Sequence, residues 1–238
     1  YVFNPPAVAS LPIDGSESMF PVRRIYCVGR NYLSHIREMQ ESDGRDPPFF
    51  FQKPSDAIQY VAAGSVGEHP YPPLTKNYHY EAELVVIIGQ RCKHVPRERA
   101  HEVIFGYCVG NDVSVRDWQK RTPQWILGKS FDTHAPFGPW VTTSDAVPDP
   151  HALGLRGWVN GDLRQNSHTS LMIFNIWEQI ALLSQAMTLE PGDVIYTGTC
   201  SGVGAGMKPP SFLRPGDRVR MEVEGLGAIE ATCQREAG

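Results

Sequence analysis

The sequence predicts an α+β fold built around a rolled, mixed β-sheet. Twenty-two Gly and 20 Pro in 238 residues fall between short apolar runs rather than in one low-complexity block, which is the punctuation of many strands and turns. The clearest helix is a single stretch, Leu171 to Met187, and strands and helices do not alternate in the regular order of a doubly wound sheet.

Taken in order, residues 1–20 carry little periodicity and are expected to lie as an arm over the body, leaving a single domain over 21–238. Arg23 to Val28 reads as a short strand ended by Gly29, Asn31 to Met39 as a short helix, and Glu41 to Pro48 as a loop. Phe49-Phe50-Phe51 reads as a buried strand closed by Lys53-Pro54, and the strongest strand of the chain runs from Tyr80 to Gly89. Pro96, whose fixed φ suits a first helical turn, opens a helix to about Glu102. Val103 to Val115, rich in β-branched and aromatic residues, returns as a strand, and Arg116 to Gln124 follows as helix and loop. Asn160-Gly161 between two extended runs predicts a type I′ hairpin, which demands positive φ at both positions. In the 171–187 helix, Ile173, Ile176, Trp177, Ile180, Leu182 and Leu183 form the apolar stripe. Pro191-Gly192-Asp193 and Pro215-Gly216-Asp217 are two copies of one turn that starts a strand.

Lys+Arg 22 against Asp+Glu 26 gives a net charge of −4, so there is no cation excess to track a phosphate backbone, and nucleic acid is not an expected partner. No apolar run approaches the length of a spanning helix, so no membrane partner is expected either. Five scattered Cys, odd in number and never in C-x-x-C spacing, read as small buried hydrophobes in a reducing compartment, and a cytoplasmic protein is expected.

Three acidic side chains stand out. Glu81 and Glu83 begin the Tyr80 strand at i and i+2, so their carboxylates leave the same face. Asp112 lies inside another apolar strand, where an unpaired carboxylate is costly. Without Cys or His beside them, three carboxylates suit a hard cation, Mg²⁺, Mn²⁺ or Ca²⁺. His35 and Glu38 sit at i and i+3 of a helical segment, a spacing at which Glu can orient and charge an imidazole to make a general base. Lys129, next to Gly128, is placed to meet a substrate carboxylate or a developing oxyanion, or else extends to solvent. Arg116 and Gln119, again at i and i+3, can face the same site. Tyr196 to Gly204 is a strand running into a Gly-rich loop whose N–H groups can approach an anion. That loop has no nucleotide-binding glycine pattern, and Ser201 is not in a G-x-S-x-G elbow.

The motifs Val28-Gly29-Arg30-Asn31-Tyr32, His35-x-x-Glu38, Tyr80-Glu81-Ala82-Glu83-Leu84, Gly110-Asn111-Asp112-Val113-Ser114, Gly128-Lys129-Ser130-Phe131 and Thr197-Gly198-Thr199, in this order, resemble the fumarylacetoacetate hydrolase family, and its shorter members most. The resemblance implies a mixed β-roll catalytic domain, commonly dimeric, with Glu81, Glu83 and Asp112 as ligands of a divalent cation. It implies His35 and Glu38 as a dyad on a lid segment, Lys129 as a catalytic cation, and Arg30, Arg116, Gln119 and Thr199 as substrate contacts. Two positions depart from the family pattern: Val28 stands where longer members carry a fourth metal carboxylate, and Cys200 where Pro is usual.

The expected activity is metal-dependent hydrolysis of a carbon–carbon bond in an acylpyruvate-type diketo acid such as fumarylpyruvate. Decarboxylation of oxaloacetate and isomerisation of 2-hydroxyhepta-2,4-diene-1,7-dioate pass through the same enolate and stand as alternatives. A non-enzymatic module that binds a metal or a small acid is the alternative from another class.

Overall fold

The computed structural model describes residues 1–39 and 47–235, so most of the expected 41–48 loop lies outside the described residues. The chain begins with β1 (Ser10–Pro12), β2 (Met19–Pro21), β3 (Ile25–Gly29), α1 (Leu33–Glu38) and β4 (Phe49–Lys53). Next come β5 (Ile58–Tyr60), β6 (Gly67–Tyr71), β7 (Tyr78–His79), β8 (Ala82–Ile88), β9 (Ile104–Asn111) and β10 (Ser114–Val115). The short helices α2 (Arg116–Gln119) and α3 (Ile126–Lys129) precede β11 (Ala135–Thr143), β12 (Gly154–Val159) and β13 (Asp162–His168). The chain closes with α4 (Ile176–Ala186), β14 (Val194–Tyr196), β15 (Arg218–Val223) and β16 (Gly227–Arg235).

Twelve of the strands form two mixed sheets, a seven-stranded one in the order β4-β3-β14-β8-β9-β11-β5 and a five-stranded one in the order β13-β12-β15-β16-β6, while β1 pairs with β2 and β7 with β10. This is the α+β roll expected of the sequence. Central strand β8 is buried along its whole length, and its side chains alternate between two cores. Leu84, Val86 and Ile88 pack toward the five-stranded sheet with Leu155, Val219, Met221 and Ile229. Val85 and Ile87 face the other way, among Cys27, Cys108, Phe137 and Tyr196. Glu83 is in phase with Val85 and Ile87, so the alternation itself directs its carboxylate to that second side.

Several boundaries differ from the sequence expectation. Within the expected N-terminal arm, residues 10–12 and 19–21 pair as β1 and β2, with Leu11 and Phe20 in the second core. The expected 96–102 helix is a 3₁₀ segment, Arg97–Val103. The expected 103–115 strand breaks at Asp112, where the Val113 N–H turns back to the Asn111 carbonyl. The long helix starts at Ile176 and not near Leu171, because Asn175 and Glu178 form a reciprocal capping box there. Ile173 therefore lies outside it, and Leu182 of the stripe is exposed. The Asn160-Gly161 hairpin is as expected, with φ of 52° and 86°. All five cysteines are free and buried.

His69 on β6 and His134 before β11 are buried, and burial lowers both pKa values, that of His69 to about 4. An unfolded chain takes up these protons near pH 6.5, so between pH 6.5 and 4 it binds more protons than the folded one. Stability therefore falls as pH drops through that window, by about 3 kcal/mol from His69 alone. Urea melts at neutral pH and near pH 4.5 check this, and His69→Gln flattens the fall.

Candidate active site

The end of β8 and the turn after β9 build the site. In their antiparallel register Ala82 pairs with Asn111 and Glu83 with Gly110, which sets Glu81 opposite Asp112 just beyond the ladder. Two hydrogen bonds lock that corner: the Asp112 N–H donates to the Glu81 carbonyl at 2.9 Å, and the Glu81 N–H donates to Asn111 Oδ1 at 2.8 Å. Glu81, Glu83 and Asp112, all buried, bring their oxygens within 4.8 Å of one another. Among the described residues they are the one group of His, Cys, Asp or Glu able to converge on a metal ion.

Three like charges so close need compensation, and three buried cations supply it. Lys129 Nζ donates to Glu81 Oε2 at 2.8 Å and to Asp112 Oδ2 at 2.6 Å. Arg116 donates to Glu81 and, at 2.9 Å, to Gln119 Oε1. Lys53 Nζ stands 2.7 Å from Asp112 Oδ1, while its hydrogen bonds go to the carbonyls of Val113, Lys129 and His134. Burial works to raise the Glu81 pKa, but the charges of Lys129 and Arg116 outweigh it and hold that carboxyl below its ordinary range. Glu83 goes the other way: burial, then the charges of Asp112 and Glu81, push it well above. Burial opposes the Lys129 charge, yet Asp112 and Glu81 keep its pKa raised.

The loop after β14 closes the other wall. Gly198, at φ 101°, turns the chain so that its N–H reaches Glu83 Oε2 at 2.7 Å. The hydroxyls of Thr197 and Thr199 donate to the Leu84 and Ala82 carbonyls of β8, continuing with side chains the pairing that β14 makes with backbone. A Cβ at Gly198 would lie 2.6 Å from that of Asn31. Gly198→Ala is thus expected to cost roughly 1–3 kcal/mol and to pull the N–H off Glu83. Thermal melting reads the first effect, and calorimetric Mn²⁺ titration reads the second as an affinity loss of about tenfold or more.

On α1, His35 Nδ1 is 2.8 Å from Glu38 Oε1, and Glu38 Oε2 accepts the Gly202 N–H at 2.8 Å. With Nδ1 holding the proton toward Glu38, Nε2 is left as the basic nitrogen. His35 lines a cleft together with Glu81, Glu83, Asp112, Arg116, Gln119, Lys129, Thr199, Arg30, Trp125 and Val28. Every sequence-predicted site residue except Glu38 is on that wall, and Glu38 stands behind His35. Arg30, held at φ 59°, carries its guanidinium over the rings of Phe49 and Trp125 at 5.7 and 5.5 Å.

Three side chains have partners that the sequence did not show. Lys129 does not extend to solvent; it is 1% exposed between two carboxylates. Arg116 is turned onto Glu81 and Gln119. The Thr199 hydroxyl is already bonded to Ala82 and accepts from Gln165 at 2.8 Å, which leaves the rest of that residue to face the cleft. Sequence reasoning missed Lys53, which reads as an ordinary lysine ending a Phe-rich run. It also missed Asn31, whose amide ties the Phe174 and Thr197 carbonyls together at 3.0 and 2.7 Å. Asn31 sits in the Gly29-Arg30-Asn31 motif, which was the available signal.

Comparison with known proteins gives relatives over most of the chain. The mitochondrial oxaloacetate tautomerase fahd2 of Xenopus laevis is 44% identical over 208 residues, 87% of this chain and 64% of that protein. The chain thus spans less than two thirds of that relative's length. The human mitochondrial oxaloacetate tautomerase FAHD2A is 42% identical over 229 residues, covering 93% of this chain and 71% of that one. Fumarylpyruvate hydrolase from Pseudomonas aeruginosa, crystallised with Mn²⁺ and pyruvate, is 42% identical and superposes with a TM-score of 0.93 over 99% of this chain and 100% of that one. Residues 24–234 match the profile described as fumarylacetoacetate (FAA) hydrolase C-terminal, and to that family this chain belongs.

Proposed function

We propose that this chain is a divalent-metal-dependent hydrolase that cleaves a carbon–carbon bond of an acylpyruvate-type diketo acid, with fumarylpyruvate as its substrate. The observation that carries the reading is one cleft lined by three convergent carboxylates, a buried cation and a Glu-oriented imidazole. The donor set fits a hard ion: three buried carboxylates that converge, with no sulfur among them. Mg²⁺ and Mn²⁺ are the ions of choice, with Ca²⁺ behind them. Bound by Glu81, Glu83 and Asp112, such an ion supplies Lewis-acid polarisation of a 2-oxo acid's oxygens.

The remaining work falls to the protein. His35 Nε2 takes a proton from water, and Glu38 stabilises the resulting imidazolium. The oxygen of that water bonds to the distal carbonyl carbon of the substrate. The bond from this carbon to the central methylene then breaks, and its electron pair leaves as the enolate of pyruvate. Lys129 places positive charge beside the developing oxyanion. His35 returns its proton to the enolate carbon, giving pyruvate and the free acid, here fumarate. Arg30, Arg116, Gln119 and Thr199 line the surface against which the substrate is held.

Support comes from the Pseudomonas protein, which matches over its full length and holds pyruvate. A second reading, keto–enol tautomerisation of oxaloacetate, is favoured by the names of the Xenopus and human relatives and needs the same proton transfers without water. The test is incubation with fumarylpyruvate and Mg²⁺ or Mn²⁺. The expected result is fumarate and pyruvate in equal amounts, with ¹⁸O from labelled water in fumarate. No products, together with faster decay of oxaloacetate enol absorbance, replaces hydrolysis by tautomerisation; CO₂ release from oxaloacetate replaces it by decarboxylation. If every acid stays inert while chelation lowers the melting temperature, the site is structural.

Among the described residues no helix is long and apolar enough to cross a membrane. The five buried free thiols fit a reducing compartment, a condition that both cytoplasm and mitochondrial matrix meet.

A further inference from the structure

Tyr80 lies between β7 and β8, immediately before the first metal-site carboxylate, and is 2% exposed. Its hydroxyl donates to the Gly202 carbonyl at 2.8 Å. Gly202 in turn gives its N–H to Glu38 Oε2 at 2.8 Å, and the other Glu38 oxygen meets His35 Nδ1 at 2.8 Å. Gly202 has φ 104°, and a Cβ there would lie 1.9 Å from the Arg164 carbonyl, so only glycine fits. Both polar groups of this one residue are thus committed, one to Tyr80 and one to Glu38.

We infer that Tyr80 is a positioning residue for the His35–Glu38 base, holding Gly202 so that its N–H aims Glu38 at the imidazole. The base role of His35 rests on the proposed function; the hydrogen-bonded chain from Tyr80 to His35 does not. Glu38 is the last residue of α1, and its long side chain has several staggered rotamers open to it. The Gly202 N–H removes that freedom for one oxygen and leaves the second for His35, which fixes the imidazole tautomer. The loop supplying this N–H is itself pinned from the far side by the buried Tyr80 hydroxyl, which donates to the Gly202 carbonyl. The segment that aligns Glu81 with Asp112 therefore also sets the direction of the base.

Tyr80→Phe keeps the ring and deletes one hydroxyl. Spectra of ¹⁵N-histidine-labelled, metal-free protein, with His35 identified from its loss in His35→Ala, are expected to show one Nδ1-protonated tautomer in the parent chain and a mixture in Tyr80→Phe. An unchanged His35 signal in Tyr80→Phe overturns the inference. In fumarylpyruvate turnover, Tyr80→Phe is expected to lower kcat about tenfold with KM within twofold, and to lower it less than twofold when Glu38→Gln is already present. Equal losses in both backgrounds mean that Tyr80 does not act through Glu38 and contradict the inference. A parent chain inert toward fumarylpyruvate removes the hydrolase reading, while the histidine spectra still decide the positioning.

Discussion

Asp112→Asn abolishes divalent-ion binding and lowers turnover on the order of 10³-fold, since the Lewis-acid stabilisation of several kcal/mol leaves with the ion. The substitution is nearly isosteric, so the loss is one of charge. It also strands the buried Lys53 ammonium, 2.7 Å from the former carboxylate, and takes from Lys129 one of its two carboxylate partners. Leaving a buried charge without its partner costs about 3–5 kcal/mol, so the variant melts well below the parent chain even without metal. Calorimetric Mn²⁺ titration, thermal melting and fumarylpyruvate turnover measure the three effects separately.

His35→Ala separates chemistry from metal binding. Loss of the general base is expected to lower kcat roughly 10²–10⁴-fold. Mn²⁺ affinity stays within about twofold, because His35 is not among the converging oxygens. Decarboxylation of oxaloacetate, which takes no proton from water, survives this substitution if the site performs it. A His35→Ala enzyme with full fumarylpyruvate turnover would assign the base elsewhere.

The parts of this site that were legible in the sequence are those set by local periodicity. Glu81 and Glu83 share a face because a strand repeats every two residues, and Asn160-Gly161 announces its own turn. The apolar stripe, followed alone, misplaces the start of α4; the capping box of Asn175 and Glu178 sets it at Ile176. What could not be read is the set of contacts between residues far apart in the chain. Lys53 reaches Val113 and His134 across 60 and 81 positions, and nothing around it marks it as buried. Lys129 reads as a cation near the chemistry, but its seat between Glu81 and Asp112 depends on how α3 packs against α2, β4 and β10. The 103–115 strand breaks at Asp112, where the Val113 N–H turns back to Asn111, and resumes as β10 paired with β7, a change of partner that strand propensity alone does not show. The Gly202 clasp on Glu38 is likewise invisible in a motif that names the dyad alone.

The claim on which the rest depends is that Glu81, Glu83 and Asp112 hold one divalent cation within reach of a 2-oxo acid. Anomalous diffraction from crystals grown with Mn²⁺ and pyruvate tests it most directly. The expected map has one strong manganese peak bonded to oxygens of all three side chains, with pyruvate density against it and Lys129 alongside. A peak elsewhere, or none at this corner in excess Mn²⁺, would contradict the account.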